Sequence, residues 1–87
     1  MLTTATKYRI ESVARAADLL CAFLQPPHRF GVTDLSEMTG LTKNQVFRIL
    51  QTLMPSGFVV QDPETKAYRL GPRLIDLAAV AVHGTSL

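Results

Sequence analysis

Lys43, Asn44, Gln45, Phe47, Arg48 and Gln51 fall within nine consecutive residues, and their types suit contact with nucleic-acid bases. Lysine and arginine donate to guanine O6 and N7, and asparagine and glutamine can pair in bidentate fashion with adenine. A phenylalanine can pack on a thymine methyl. Each good bidentate pair gives about 1–3 kcal/mol of discrimination against a wrong base. Interleaved with these residues, Val46, Ile49, Leu50 and Leu53 recur at the i, i+3, i+4, i+7 spacing of a buried helix face. One helix thus carries an apolar back and a polar, cationic front.

What must position this helix lies on either side of it. Thr42 precedes it as an N-cap, with Gln45 three residues on, the pattern of a capping box. A short helix over 34–39, capped by Thr33, precedes a glycine turn at Gly40. Asp34 sits in its first turn, and Leu35 and Met38 face inward. Two short helices joined by such a turn make a helix-turn-helix over residues 32–57. The major groove admits one α-helix, whose N-terminal end reaches base edges. Thr33 and Thr42 lie at helix N-termini, where a hydroxyl and free N–H groups suit phosphate.

Upstream, Ser12 is read as the N-cap of a first helix running to about Leu24. Its apolar side is wider than one small core needs, so it either contacts every other element or meets a second subunit. Arg15 and Asp18 are spaced to pair on it. Cys21 is read as a buried thiol. The stretch 25–31, with Pro26 and Pro27, breaks the helix, and Phe30 returns to the core. His28 and Arg29 are placed in a solvated loop. Downstream, Pro55 and Gly57 end the third helix. Strands over 58–61 and 67–70 flank a turn, Asp62-Pro63-Glu64-Thr65-Lys66, and form a wing. Lys66 at its tip suits the DNA backbone, though Asp62 and Glu64 beside it repel phosphate. A fourth helix spans about 72–83. The fold expected is mainly α with a small β-hairpin: a winged helix-turn-helix with a three-helix core, a two-stranded wing and a C-terminal linker helix.

Size and charge narrow the function classes. Eighty-seven residues make one domain with a small core. A net charge of +2 does not by itself indicate nucleic acid, but from Leu41 to Gln61 there are two basic residues and no acidic one. One cysteine and two scattered histidines make neither a disulfide nor an ordinary zinc site, so no metal or cofactor is expected. No carboxylate pair, phosphate-binding glycine loop or Ser/His/Asp set is present, so no catalytic residue is assigned. The start of the chain lacks the apolar core of a signal peptide, and the run 77–82 is too short to span a bilayer, which leaves the cytoplasm as the expected compartment.

The same segments carry a family resemblance. Ser12-Val13-Ala14-Arg15-Ala16, Asp34-Leu35-Ser36 through Gly40-Leu41, Val46-Phe47-Arg48-Ile49-Leu50 with Leu53 and Gly57-Phe58, and Ala67-Tyr68-Arg69-Leu70-Gly71 occur in an order that resembles the N-terminal domain of the IclR family of bacterial transcriptional regulators. The resemblance covers roughly 10–77. It implies an arm over 1–9, a winged helix-turn-helix over 10–71, and over 72–87 the start of a linker helix to an effector-binding domain absent from this chain. It implies binding of double-stranded operator DNA as a homodimer, with a small-molecule effector acting only through that absent domain. Arg48 matches the family's arginine. Asn44-Gln45 stands where small hydroxyl residues are common, and Pro55 is unusual at its position. The competing expectation is a winged helix that serves as a protein-interaction or dimerisation module without DNA.

Overall fold

The first helix, α1 (Glu11–Ala22), draws its buried stripe from Leu19 and, just past its end, Phe23. The computed structural model describes residues 7–85, so most of the arm expected over 1–9 lies outside the described residues. Ser12 is not the cap. Ile10 is, in extended conformation and without a side-chain bond, and the helix starts where Glu11 pairs with Arg9 at 2.7 Å. An acidic group in the first turn complements the helix dipole. Cys21 is exposed, because it sits two residues from Leu19 and so turns to the opposite side of the helix. Arg15 and Asp18 form no ion pair; those of the described residues are Arg9–Glu11 and Arg73–Asp76.

The helix ends at Ala22, and the turn that follows carries Pro26 and Pro27, joined by a cis bond. His28 lies within hydrogen-bond distance of the Phe23 carbonyl, Nδ1 to oxygen 2.9 Å, at the frayed end of α1. Phe30 then reaches the core as expected, its ring 5.8 Å from that of Phe23.

The second helix, α2 (Val32–Thr39), begins one residue before Thr33, with Gly31 at the N-cap. The chain leaves its extended pairing at Phe30 and turns directly into the helix, so Thr33 falls inside the first turn and caps nothing. Leu35 is fully buried, whereas Met38 is 41% exposed rather than inward. The inner stripe runs instead through Leu35, Ser36 and Thr39. The two hydroxyls are tolerated there because each donates to backbone: Ser36 to Leu41 at 2.6 Å and Thr39 to Leu35 at 2.7 Å. Gly40 holds φ +78, the left-handed conformation that ends the helix and that a side chain disfavours.

The third helix, α3 (Lys43–Leu53), buries Val46 and Leu50 completely and Ile49 and Leu53 partly. It ends two residues before Pro55, which has no N–H to continue the ladder. Strands β1 (Val59–Gln61) and β2 (Tyr68–Leu70) pair antiparallel, Val59 with Leu70, Val60 with Arg69 and Gln61 with Tyr68. The hairpin is joined by a third, one-residue strand, since Phe30 and Tyr68 exchange N–H···O bonds of 3.0 and 2.8 Å. Val59, Tyr68 and Phe30 close the core formed by Leu19, Phe23, Leu35, Val46 and Leu50.

The last helix, α4 (Arg73–Thr85), starts from a tight junction. Gly71 donates to the Phe58 carbonyl at 2.8 Å and Arg73 to the Gly57 carbonyl at 3.1 Å. A Cβ on Gly71 would overlap the Gly57 carbonyl oxygen. Of the α4 residues through Gly84, only Leu74 is even half-buried. The expected architecture is present: helices packed around one core with an antiparallel wing.

Candidate nucleic-acid interface

The front of α3 is built by its back. With about 3.6 residues per turn, burying Val46 and Leu50 turns Asn44, Phe47, Arg48 and Gln51 outward on one strip at i, i+3, i+4, i+7. All four are exposed, as is Lys43 at the start of the helix. Phe47, an ambiguous residue in the sequence because it adjoins Val46, is 48% exposed and belongs to this polar strip rather than to the core. No acidic residue lies on α3, and neither Lys43 nor Arg48 is held in an ion pair.

The N-terminus of α3 is fixed by reciprocal bonds. The Thr42 hydroxyl accepts the Gln45 N–H at 3.1 Å, and the Gln45 side-chain oxygen accepts the Thr42 N–H at 2.9 Å. Gln45 is therefore turned back over the cap. It is half-buried beside α1, on the edge of a groove of about 640 Å³ whose rim also includes Arg48. In this conformation the cap occupies the side-chain oxygen of Gln45 and leaves its amide N–H groups to other partners. Bidentate pairing with adenine would require its oxygen to share or leave the cap.

Gln51 is exposed but not free. Its Nε2 lies 3.5 Å from the Tyr68 hydroxyl, which emerges from the core between α3 and the hairpin. This link between the exposed strip of α3 and the hairpin joins residues 17 apart, and no local pattern in the sequence signals it. Thr33 is exposed in the first turn of α2, and Thr42 at the entrance to α3, so both hydroxyls lie near helix N-termini. Lys66 is exposed at the wing tip with φ +67. It is separated from the α3 strip by the hairpin and is not gathered with the other residues.

The acid at the wing tip is held in its ionised form by its own turn. One oxygen of Asp62 accepts the N–H groups of Glu64 at 2.8 Å and Thr65 at 3.1 Å. These bonds, first from Thr65 and then from Glu64, hold its carboxyl below the usual range, with smaller help from the charges of Arg29 and Arg69. Among the described residues no group of three or more His, Cys, Asp or Glu is placed to hold a metal ion, and no helix is long and apolar enough to cross a membrane.

Residues 12–63 match the model of the IclR helix-turn-helix domain. The chain is similar to the HTH-type transcriptional regulator XynR of Escherichia coli, 37% identical over 67 residues covering 77% of this chain and 27% of that protein. It is likewise similar to a glycerol operon regulatory protein of Streptomyces coelicolor, 38% identical over 68 residues, 78% of this chain and 27% of that one. The crystal structure of an IclR transcriptional regulator from Alicyclobacillus acidocaldarius superposes with a TM-score of 0.81 at 37% identity, over 85% of this chain and 30% of that chain. The chain thus spans little more than a quarter of the length of the curated relatives it matches. Those relatives are regulators of transcription, not enzymes. The match over residues 12–63, the identity to these regulators and the shared fold place this chain in the IclR family of transcriptional regulators, as its DNA-binding helix-turn-helix domain.

Proposed function

We propose that this domain binds a two-fold symmetric operator as a homodimer, with α3 in the major groove of each half-site. The observation that carries the reading is the acid-free strip Asn44, Phe47, Arg48 and Gln51, exposed opposite the fully buried Val46 and Leu50. Lys43 and Arg48 supply the cationic donors, Asn44 an amide pair, and Phe47 an apolar contact to a thymine methyl. Gln45 contributes through its N–H groups. Thr33 and Thr42 meet phosphates from helix N-termini, and Lys66 gives a peripheral backbone contact from the wing.

Dimerisation is supported by apolar side chains that the domain leaves in water. Val13 of α1 is 62% exposed, and Ile75, Leu77 and Val80 of α4 are 71%, 50% and 72% exposed. We assign these exposed apolar side chains to the contact between the two copies. In the same reading α4 is the start of a linker to an effector-binding domain, and the protein acts in the cytoplasm.

Selection of bound duplexes from a random pool by this chain tests the reading. The expected product is an inverted repeat with half-site centres about 10 bp apart, or a multiple of that. A single unrepeated site would overturn the dimer. No enrichment, with salt-insensitive association, would overturn DNA reading and favour the protein-interaction module, which the acidic wing tip suits.

A further inference from the structure

Strand alternation puts Phe30, Tyr68 and Leu70 on the sheet face that packs against the helices, and turns Arg29 and Arg69 to the other face. Phe30 and Tyr68 are a hydrogen-bonded pair, so the register sets Arg29 opposite Arg69 one step along. Both arginines are exposed and neither forms an ion pair. Both line a hollow of about 660 Å³ that also includes Leu24, Pro27 and His28. Like charges set opposite one another across strands repel. Asp62 lies close enough for its carboxyl to respond to both, but it is bonded to the backbone of its own turn and touches neither. Two cationic groups therefore stand together without a counter-charge in contact, next to an apolar shelf in which Leu24 is 71% exposed.

We propose that this hollow docks an acidic segment of a partner protein. A carboxylate sits between Arg29 and Arg69, and a neighbouring apolar side chain rests on Leu24 and Pro27. Operator DNA is the less suitable anion for geometric reasons. The contact between Gln51 and the Tyr68 hydroxyl shows that α3 presents its strip on the Tyr68 side of the sheet. A duplex along α3 meets that side, and Arg69 points away from it. The docking site is thus independent of DNA reading, and one domain can engage both partners at once.

Nuclear magnetic resonance of the arginine side chains tests this directly. The chain is titrated with a synthetic peptide alternating Glu and Leu, with a control alternating Gln and Leu, and separately with duplex DNA. The Nε–Hε signals of Arg29 and Arg69 shift with the Glu peptide and not with the Gln peptide. Arg29→Gln and Arg69→Gln each weaken that binding about two- to five-fold, as for a partly exposed charge pair. Both positions are on the surface, and an unchanged amide spectrum verifies that the variants are folded. Duplex DNA moves α3 amides and leaves the two arginine signals in place. Arginine signals that stay fixed at millimolar Glu peptide, that respond equally to the Gln peptide, or that move with DNA overturn the proposal. Failure of DNA to move α3 would overturn the operator reading instead.

Discussion

Thr42 and Gln45 cap each other: each side chain accepts the other's backbone N–H, at 3.1 and 2.9 Å. Two donors that α3 would otherwise leave unpaired are satisfied at the end where the residues proposed to read bases begin. Thr42→Ala should cost about 1 kcal/mol of stability. Urea denaturation measures it, and an unchanged midpoint would show that the box contributes nothing. Gln45→Ala removes only one of the two bonds and should cost less.

Arg48 stands at the centre of the exposed strip, whereas Arg29 lies on the far face of the sheet. Arg48→Ala should therefore weaken operator binding by about 1–3 kcal/mol, if it makes a bidentate base contact. Arg29→Ala should leave operator affinity nearly unchanged. Fluorescence anisotropy on one labelled duplex compares them, and equal losses would remove α3 as the reader.

Salt dependence separates phosphate from protein partners. Each phosphate neutralised by Lys43, Arg48 or Lys66 should add about 0.9 to the slope of log affinity against log salt. Lys66→Ala should reduce that slope by about 1 while affecting all sequences alike. A slope the substitution leaves intact would mean that the wing tip does not touch the backbone.

Gly71 faces the Gly57 carbonyl with no room for a side chain. Gly71→Ala should destabilise the domain by about 1–3 kcal/mol through overpacking against backbone. Thermal unfolding reads this directly, and a neutral substitution would mean that the junction yields.

The carboxyl of Asp62 is held below its ordinary range by the N–H groups of Thr65 and Glu64. A depressed carboxylate stabilises the folded state above its unfolded pKa, and that contribution is lost as pH falls through the folded one. The difference in stability between the natural chain and Asp62→Asn should be constant near neutrality and shrink on acidification below the usual carboxylate range. Paired urea titrations across that range test the sign. A difference that grows on acidification would contradict it.

The sequence made the helices, the wing and the capping box legible because each rests on local chemistry. Val46, Ile49, Leu50 and Leu53 declare a helix face by spacing alone, and Gly40 declares its turn. Boundaries were harder. Ser12 and Thr33 have good capping side chains, yet tertiary pairing at Phe30 and the Arg9–Glu11 ion pair start those helices earlier. Met38 looked apolar enough for the core, but Ser36 and Thr39 take the inner stripe because their hydroxyls are satisfied by backbone. Contacts across the chain left no mark that a single sequence reveals. The bridge between Phe30 and Tyr68, the link from Gln51 to the Tyr68 hydroxyl and the opposition of Arg29 and Arg69 all depend on how the loop after α1 meets the hairpin.

The junction at Gly57 and Gly71 ties the start of α4 to the turn that follows α3. The Gly57 carbonyl, four residues beyond the end of α3, accepts the N–H of Arg73, the first residue of α4. A tilt imposed on α4 would reach α3 through the short turn 54–57, which is bonded back to the helix end by the N–H of Gly57 to Met54 and of Phe58 to Leu53. On the proposed operator reading, the angle at which α3 meets DNA would then respond to whatever grips α4.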